Sequence, residues 1–179
     1  MFSRLALAGL AVSLLASACT GDKPRVGDAA PPVSSPATAA LSPSADAPND
    51  ALAAYRGMWS VFVEAAATSD PESSDLRKYA QDQALTLITS SLYMDRKRKQ
   101  VTKGDVKLEP KITKLSPSAR PTEATIVDCV NDESWLKYKA GGGLVNDVPG
   151  GRHRTTATVK RSADGWKVSA FILKESGTC

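Results

Sequence analysis

The sequence predicts an α+β domain with N-terminal helices packed in a strongly curved, mostly antiparallel sheet of four or five strands, and three observations carry that prediction. Apolar residues recur at spacings of three and four from Ala51 to Tyr93. From about residue 106 the apolar period falls to two. Short turn sequences join the later segments, so neighbouring strands run antiparallel. Helices segregated from a run of strands form layers, and a sheet curled around helices encloses a cavity.

The first helix covers 51–68, where Leu52, Tyr55, Trp59, Phe62, Val63 and Ala66 form one apolar stripe. "SDPESSD" interrupts it, and Ser74 or Asp75 can cap a second helix. Leu76, Tyr79, Ala80, Ala84, Leu87, Ile88 and Leu92 continue the helical spacing to Tyr93, in one piece or two. The charged run "DRKRKQVTKGD" separates the helices from the strands. Val106, Leu108 and Ile112 then alternate with Lys107, Glu109 and Lys111, and Pro110 puts this strand at an edge or a bulge. "EATIVDCV" and "SWLKYKA" read as strands, the second ending in a glycine run. "HRTTATVKR" and "WKVSAFILK" flank the turn "SADG" and form a hairpin.

Upstream of this domain, residues 1–18 hold one basic residue, Arg4, the apolar run "LALAGLAVSLL" and the small residues "ASA", the layout of an export signal. The run falls short of the roughly 20 apolar residues that span a bilayer. Cys19 follows directly, and "LLASAC" resembles a bacterial lipobox, with Ala16 where leucine is commoner. That resemblance implies cleavage before Cys19 and a diacylglycerol on its thiol, with acyl chains such as palmitate. Two acyl chains hold a protein stably at a membrane. Residues 19–50, rich in Ala, Pro and Ser, cannot bury enough apolar surface to offset ordering entropy and are expected to form a tether. The folded domain is then residues 51–179, on the extracytoplasmic face of the bacterial cell membrane.

Cys129 and Cys179 remain as an even pair in an exported chain and are expected to form a disulfide. On the loop-entropy account such a bond stabilises by roughly 4 kcal/mol. With two thiols and one histidine, His153, the domain lacks the four closely spaced ligands of a zinc site, so no metal or other cofactor is expected.

The stretches "AYRGMWSVFVEAA", "DC" at Asp128–Cys129, "WLKY" at 135–138, "PGG" at 149–151, "TATVKR" and "DGWKV" together resemble the nuclear transport factor 2-like superfamily of cone-shaped, cystatin-like α+β domains. The resemblance is nearer to its secreted and lipoprotein members from high-GC Gram-positive bacteria and covers nearly the whole domain. It implies a pocket, which in ketosteroid isomerases, dehydratases and cyclases is catalytic and in adaptors of transport and secretion is not.

Asp128 shares a strand face with Ala124, Ile126 and Val130, which is the setting of a general base with a raised pKa. The structural alternative is a carboxylate paired with an arginine or capping a turn. His153 shares a face with Thr155, Ala157 and Val159, and with Asp128 it would form a dyad for isomerisation or dehydration if their strands are neighbours. Tyr55, Trp59 and Tyr138 are the aromatic candidates for the pocket wall. "GGGLVNDVPGG" is either a loop that closes over a cavity mouth or a long hairpin connection, and it has no phosphate-loop lysine. Arg96 to Lys99, Lys103 and Lys107 form a basic stretch without interleaved aromatics, so nucleic acid is not the expected partner. Outside the cell its counterparts are lipid headgroups and wall polymers.

The residues therefore lead first to a membrane-anchored binding domain for a ligand or a partner protein, without catalysis. Behind it stand a small pocket isomerase or dehydratase built on Asp128, and an accessory subunit of an envelope export or conjugation assembly.

Overall fold

A computed structural model describes residues 46–179. The expected export signal, Cys19 and residues 19–45 of the expected tether lie outside the described residues, and residues 47–50, expected in the tether, belong to the first helix.

The first helix, α1, spans Ala47–Ala66, with Pro48 in its first turn, where a missing N–H costs nothing. Its apolar stripe buries Ala51, Tyr55, Met58, Trp59, Phe62 and Ala65. Gly57 sits within the unbroken helix for a packing reason: a Cβ there would lie 2.6 Å from the Tyr79 ring. The second helical segment is in two pieces, α2 at Leu76–Tyr79 and α3 at Asp82–Lys97. Between them Ala80 is extended and Gln81 donates its N–H to the Val168 carbonyl at 2.9 Å, so the break docks against a strand. Ala84, Ile88 and Leu92 carry the buried stripe of α3, and Asp95 extends it with a carboxylate.

Six strands follow: β1 (Gln100–Lys103), β2 (Lys111–Ser116), β3 (Glu123–Asn131), β4 (Leu136–Lys139), β5 (Arg152–Ser162) and β6 (Gly165–Ser176). They form an antiparallel sheet in the order β2-β3-β5-β6 and a separate two-stranded ribbon of β1 and β4. This differs from a single sheet in three places. β2 begins after Pro110, at an edge as expected, and the alternating residues Val106 and Leu108 precede it. β1 comes out of the charged run, whose lysines hid a short strand. β4 pairs with β1 and not with β5, so the glycine-rich segment links two sheets, and of its two expected readings the long hairpin connection is excluded.

Strand alternation sets the core. Along β3 each even residue from Ala124 to Val130 is buried and each odd one half-buried. Thr155, Ala157 and Val159 on β5 and Val168 and Phe171 on β6 complete the covered face, against which α1 and α3 pack. Burying each large apolar side chain contributes about 1.5–3 kcal/mol. Register shifts in β2 and along the β5–β6 pairing mark bulges, which bend and twist strands. On the other face Cys129 is bonded to Cys179, with Cα atoms 6.0 Å apart, holding the chain end beyond β6 to β3.

Candidate functional site

A cavity of about 550 Å³ opens between α1, α3, the β1–β4 ribbon and β6. Trp59, Phe62, Trp135 and Phe171 form its aromatic wall. Trp135 meets Phe62 edge-on at 5.1 Å and Trp59 edge-on at 6.3 Å between ring centroids, the arrangement that ring quadrupoles favour. Leu87, Ile172 and Leu173 line the cavity while remaining at least 40% exposed, so its mouth is apolar as well. Its polar lining includes Gln83, Ser91, Thr102, Asp132 and the pair Asp95–Lys137. Lys137 Nζ donates to Asp95 Oδ1 at 2.5 Å. Asp95 is almost wholly buried and Lys137 half-exposed, so the ammonium offsets a charge that burial would otherwise penalise.

Of the aromatics expected in a pocket, Trp59 lines this cavity, whereas Tyr55 lies beneath it in the core with no exposed surface. Tyr138 sits on the ribbon, with Lys103 Nζ 5.8 Å from its ring centroid. The sequence reading missed Asp95, Asp132, Trp135 and Lys137. Asp95 was legible in principle, since it falls three residues after Leu92 on the buried stripe of α3. Lys137 was not, because its partner is 42 residues away.

Asp128 is on the buried face, as alternation requires, and is 3% exposed. Its Oδ1 accepts the Glu109 amide at 2.7 Å. Burial raises its pKa above the ordinary carboxylate range, and the Glu109 N–H and nearby Tyr55 and Arg56 pull the other way. Tyr55 is raised as well, first by burial and then by the Asp128 charge. Tyr55 Oη, Trp59 Nε1 and Asp128 Oδ2 are buried, and none of them reaches hydrogen-bonding geometry with a partner. Only Trp59 of this group belongs to the cavity wall.

His153 and Asp128 do lie on adjacent strands, but Asp128 faces Thr155 while His153 faces Val130. The His153 ring is held by other groups: Nε2 is 3.1 Å from Asp132 Oδ1 and Nδ1 is 2.8 Å from the Lys174 carbonyl oxygen. Asp132 Oδ1 also accepts the Gly151 amide at 2.6 Å. Among the described residues no group of three or more His, Cys, Asp or Glu side chains has the geometry of a metal site, and no helix is long and apolar enough to cross a membrane. The disulfide indicates an oxidising, extracytoplasmic compartment.

No protein-family profile matches the sequence, and no curated protein matches it. Several solved structures resemble the chain. The intermembrane space region of the chloroplast protein ARC6 aligns with a TM-score of 0.48 at 18% identity, over 72% of this chain and 97% of that one. The Kfla4162 protein of Kribbella flavida aligns with a TM-score of 0.47 at 15% identity, over 70% and 90%. A Nostoc punctiforme protein of unknown function with a cystatin-like fold aligns with a TM-score of 0.45 at 10% identity, over 71% and 92%. The helices followed by antiparallel strands form the α+β arrangement that the sequence predicts.

Proposed function

We propose that the chain is a membrane-anchored extracytoplasmic lipoprotein whose domain binds a small, mainly apolar ligand and does no chemistry on it. The observation that carries this reading is the cavity walled by Trp59, Phe62, Trp135 and Phe171. Its volume lies within the range of about 300–1,000 Å³ typical of small-molecule sites, and its apolar lining with a few polar groups is the usual composition. The buried carboxylate of Asp128 and the imidazole of His153 stand outside the cavity lining, which favours binding over an isomerase or dehydratase. An accessory role in an export assembly is compatible with the same anchor and domain.

Native mass spectrometry of the full chain, extracted gently from its own membranes, tests both halves of the proposal. The expected spectrum carries acyl chains on Cys19 and a retained small molecule that Ser91→Trp, which fills the cavity, excludes. An unacylated chain would overturn the anchor. A chain that retains nothing, and whose tryptophan emission is unchanged by a naphthalene-sulfonate probe, would overturn the cavity as a binding site.

A further inference from the structure

The β1–β4 ribbon has two faces of different character. Thr102 and Lys137, paired in register, line the cavity. By strand alternation Val101, Lys103, Leu136 and Tyr138 occupy the opposite face. The glycine-rich segment widens that face: Leu144 bridges to Tyr138, Lys139 donates its N–H to the Gly143 carbonyl at 2.9 Å, and Val145 donates to the Lys137 carbonyl at 2.9 Å. The outer face thus has an apolar centre of Val101, Leu136, Tyr138 and Leu144, with Leu144 42% exposed and Val148 in the same segment 68% exposed.

Cations surround this centre. Lys103 lies on the face itself, with its ammonium near the Tyr138 ring. Lys97 ends α3, Arg98 and Lys99 form the turn entering β1, and Lys139, which shares the cavity-side parity of Lys137, ends β4, where the Ala140 N–H donates to the Lys99 carbonyl at 2.8 Å. All five are exposed, and none forms an ion pair among the described residues. Of the acidic residues nearest in sequence, Asp105 follows β1, the exposed Glu133 precedes β4 and Asp147 precedes Val148, while the carboxylates of Asp95 and Asp132 line the cavity on the other side.

We propose that this outer face docks the domain onto a membrane surface rich in anionic lipid. Lysines and arginines near such a surface each contribute about 1 kcal/mol of attraction. Tyrosine suits the headgroup region, with an apolar ring and a polar tip, and Leu144 and Val148 reach the acyl boundary. A soluble polyanion would engage the cations and leave the apolar centre in water. The combination therefore favours a lipid surface. The proposal requires neither a lipid on Cys19 nor a ligand in the cavity.

Amide exchange of the full chain, mixed with vesicles of phosphatidylcholine alone or containing phosphatidylglycerol, tests it directly. Exchange in 97–103 and 136–148 is expected to slow on the anionic vesicles only, and to recover at high salt. In Lys99→Ser/Lys103→Ser the ratio of docked to free domain should fall about 25-fold, about fivefold per lysine. Leu144→Ser/Val148→Ser should also weaken it. Identical exchange on both vesicle types would overturn the proposal. So would equal slowing by soluble polyphosphate together with indifference to Leu144→Ser/Val148→Ser, which would make the face a polyanion site.

Discussion

His153 takes its carboxylate partner from Asp132, with Nε2 3.1 Å from Oδ1. The same oxygen accepts the Gly151 amide, and a Cβ on Gly150 would lie 2.1 Å from it. Asp132 therefore clasps the end of the glycine-rich segment to the start of β5. Glycine is needed at 150 because a Cβ there would also lie 2.5 Å from the Asp132 carbonyl oxygen, which is backbone and cannot turn aside.

Removing that clasp should destabilise the domain. Asp132→Ala leaves a half-buried imidazole and a backbone amide without their acceptor and is expected to cost about 2–3 kcal/mol in urea unfolding. Asp132→Asn keeps an acceptor at Oδ1 and should cost less than half as much. Equal losses in the two variants would mean that the side chain acts through its charge and not as an acceptor.

Asp128 should respond to substitution in the opposite direction. Its folded-state pKa is raised by burial, so the native state binds the proton more tightly than the unfolded chain. The stability gained from protonation is present in acid and lost as pH rises from the ordinary aspartate value, about 3.9, through the raised one. At neutral pH the buried charge is a net cost. Asp128→Asn retains an acceptor for the Glu109 amide and offers an N–H toward Tyr55, so it is expected to raise the urea midpoint at pH 7. That advantage should shrink as pH falls through the raised value toward the ordinary one, and should not change further below it. Midpoints measured across pH for both proteins check the sign.

At Gly57, packing is expected to reverse helix propensity. In an exposed helix, Gly→Ala stabilises by roughly 0.5–1 kcal/mol. Here the added methyl meets the Tyr79 ring at 2.6 Å, and overpacking of this kind costs typically about 1–3 kcal/mol. Gly57→Ala should therefore lower the thermal midpoint in the wild-type background and raise it in a Tyr79→Ala background. A gain in both would show that the ring moves aside freely.

The contrast between local and distant information explains what could be read from the sequence. The stripe of α1, the alternation of β3 and the hairpin of β5 and β6 are periodic signals that report burial directly, and all three are found. The faces of Asp128 and His153 follow from the same counting. Their partners do not: alternation says that Asp128 points inward, but not that the Glu109 amide waits there. The ribbon failed for a related reason. β1 is only four residues, and Lys99 and Lys103 beside Val101 read as a solvated run until β4 is placed against it. With the ribbon unseen, one wall of the cavity was unseen too, including Trp135 and Lys137.

The disulfide should be the largest single covalent contribution to stability. Cys129 and Cys179 are 50 residues apart, and closing such a loop is worth about 4 kcal/mol on the chain-entropy account. Cys179→Ser is expected to lower stability by an amount approaching that figure. It should also speed amide exchange in the exposed end of β6, from Ile172 to Ser176. A loss below about 1 kcal/mol would mean that the unfolded chain retains the contact without the bond.

The pair Asp95–Lys137 is where stability and binding can be separated. Lys137→Met leaves the Asp95 side chain, 6% exposed, without its cation, and should destabilise the domain by about 1–3 kcal/mol, less than for a fully buried pair because Lys137 is half in water. Asp95→Leu/Lys137→Met removes both charges together and is expected to recover most of that loss. If the pair serves only the fold, the double variant retains the same small molecule in native mass spectra as the wild type. Should Lys137 also hold a polar group of the ligand, the double variant would be stable yet empty, and that outcome would place the ligand's polar end beside β1 and β4.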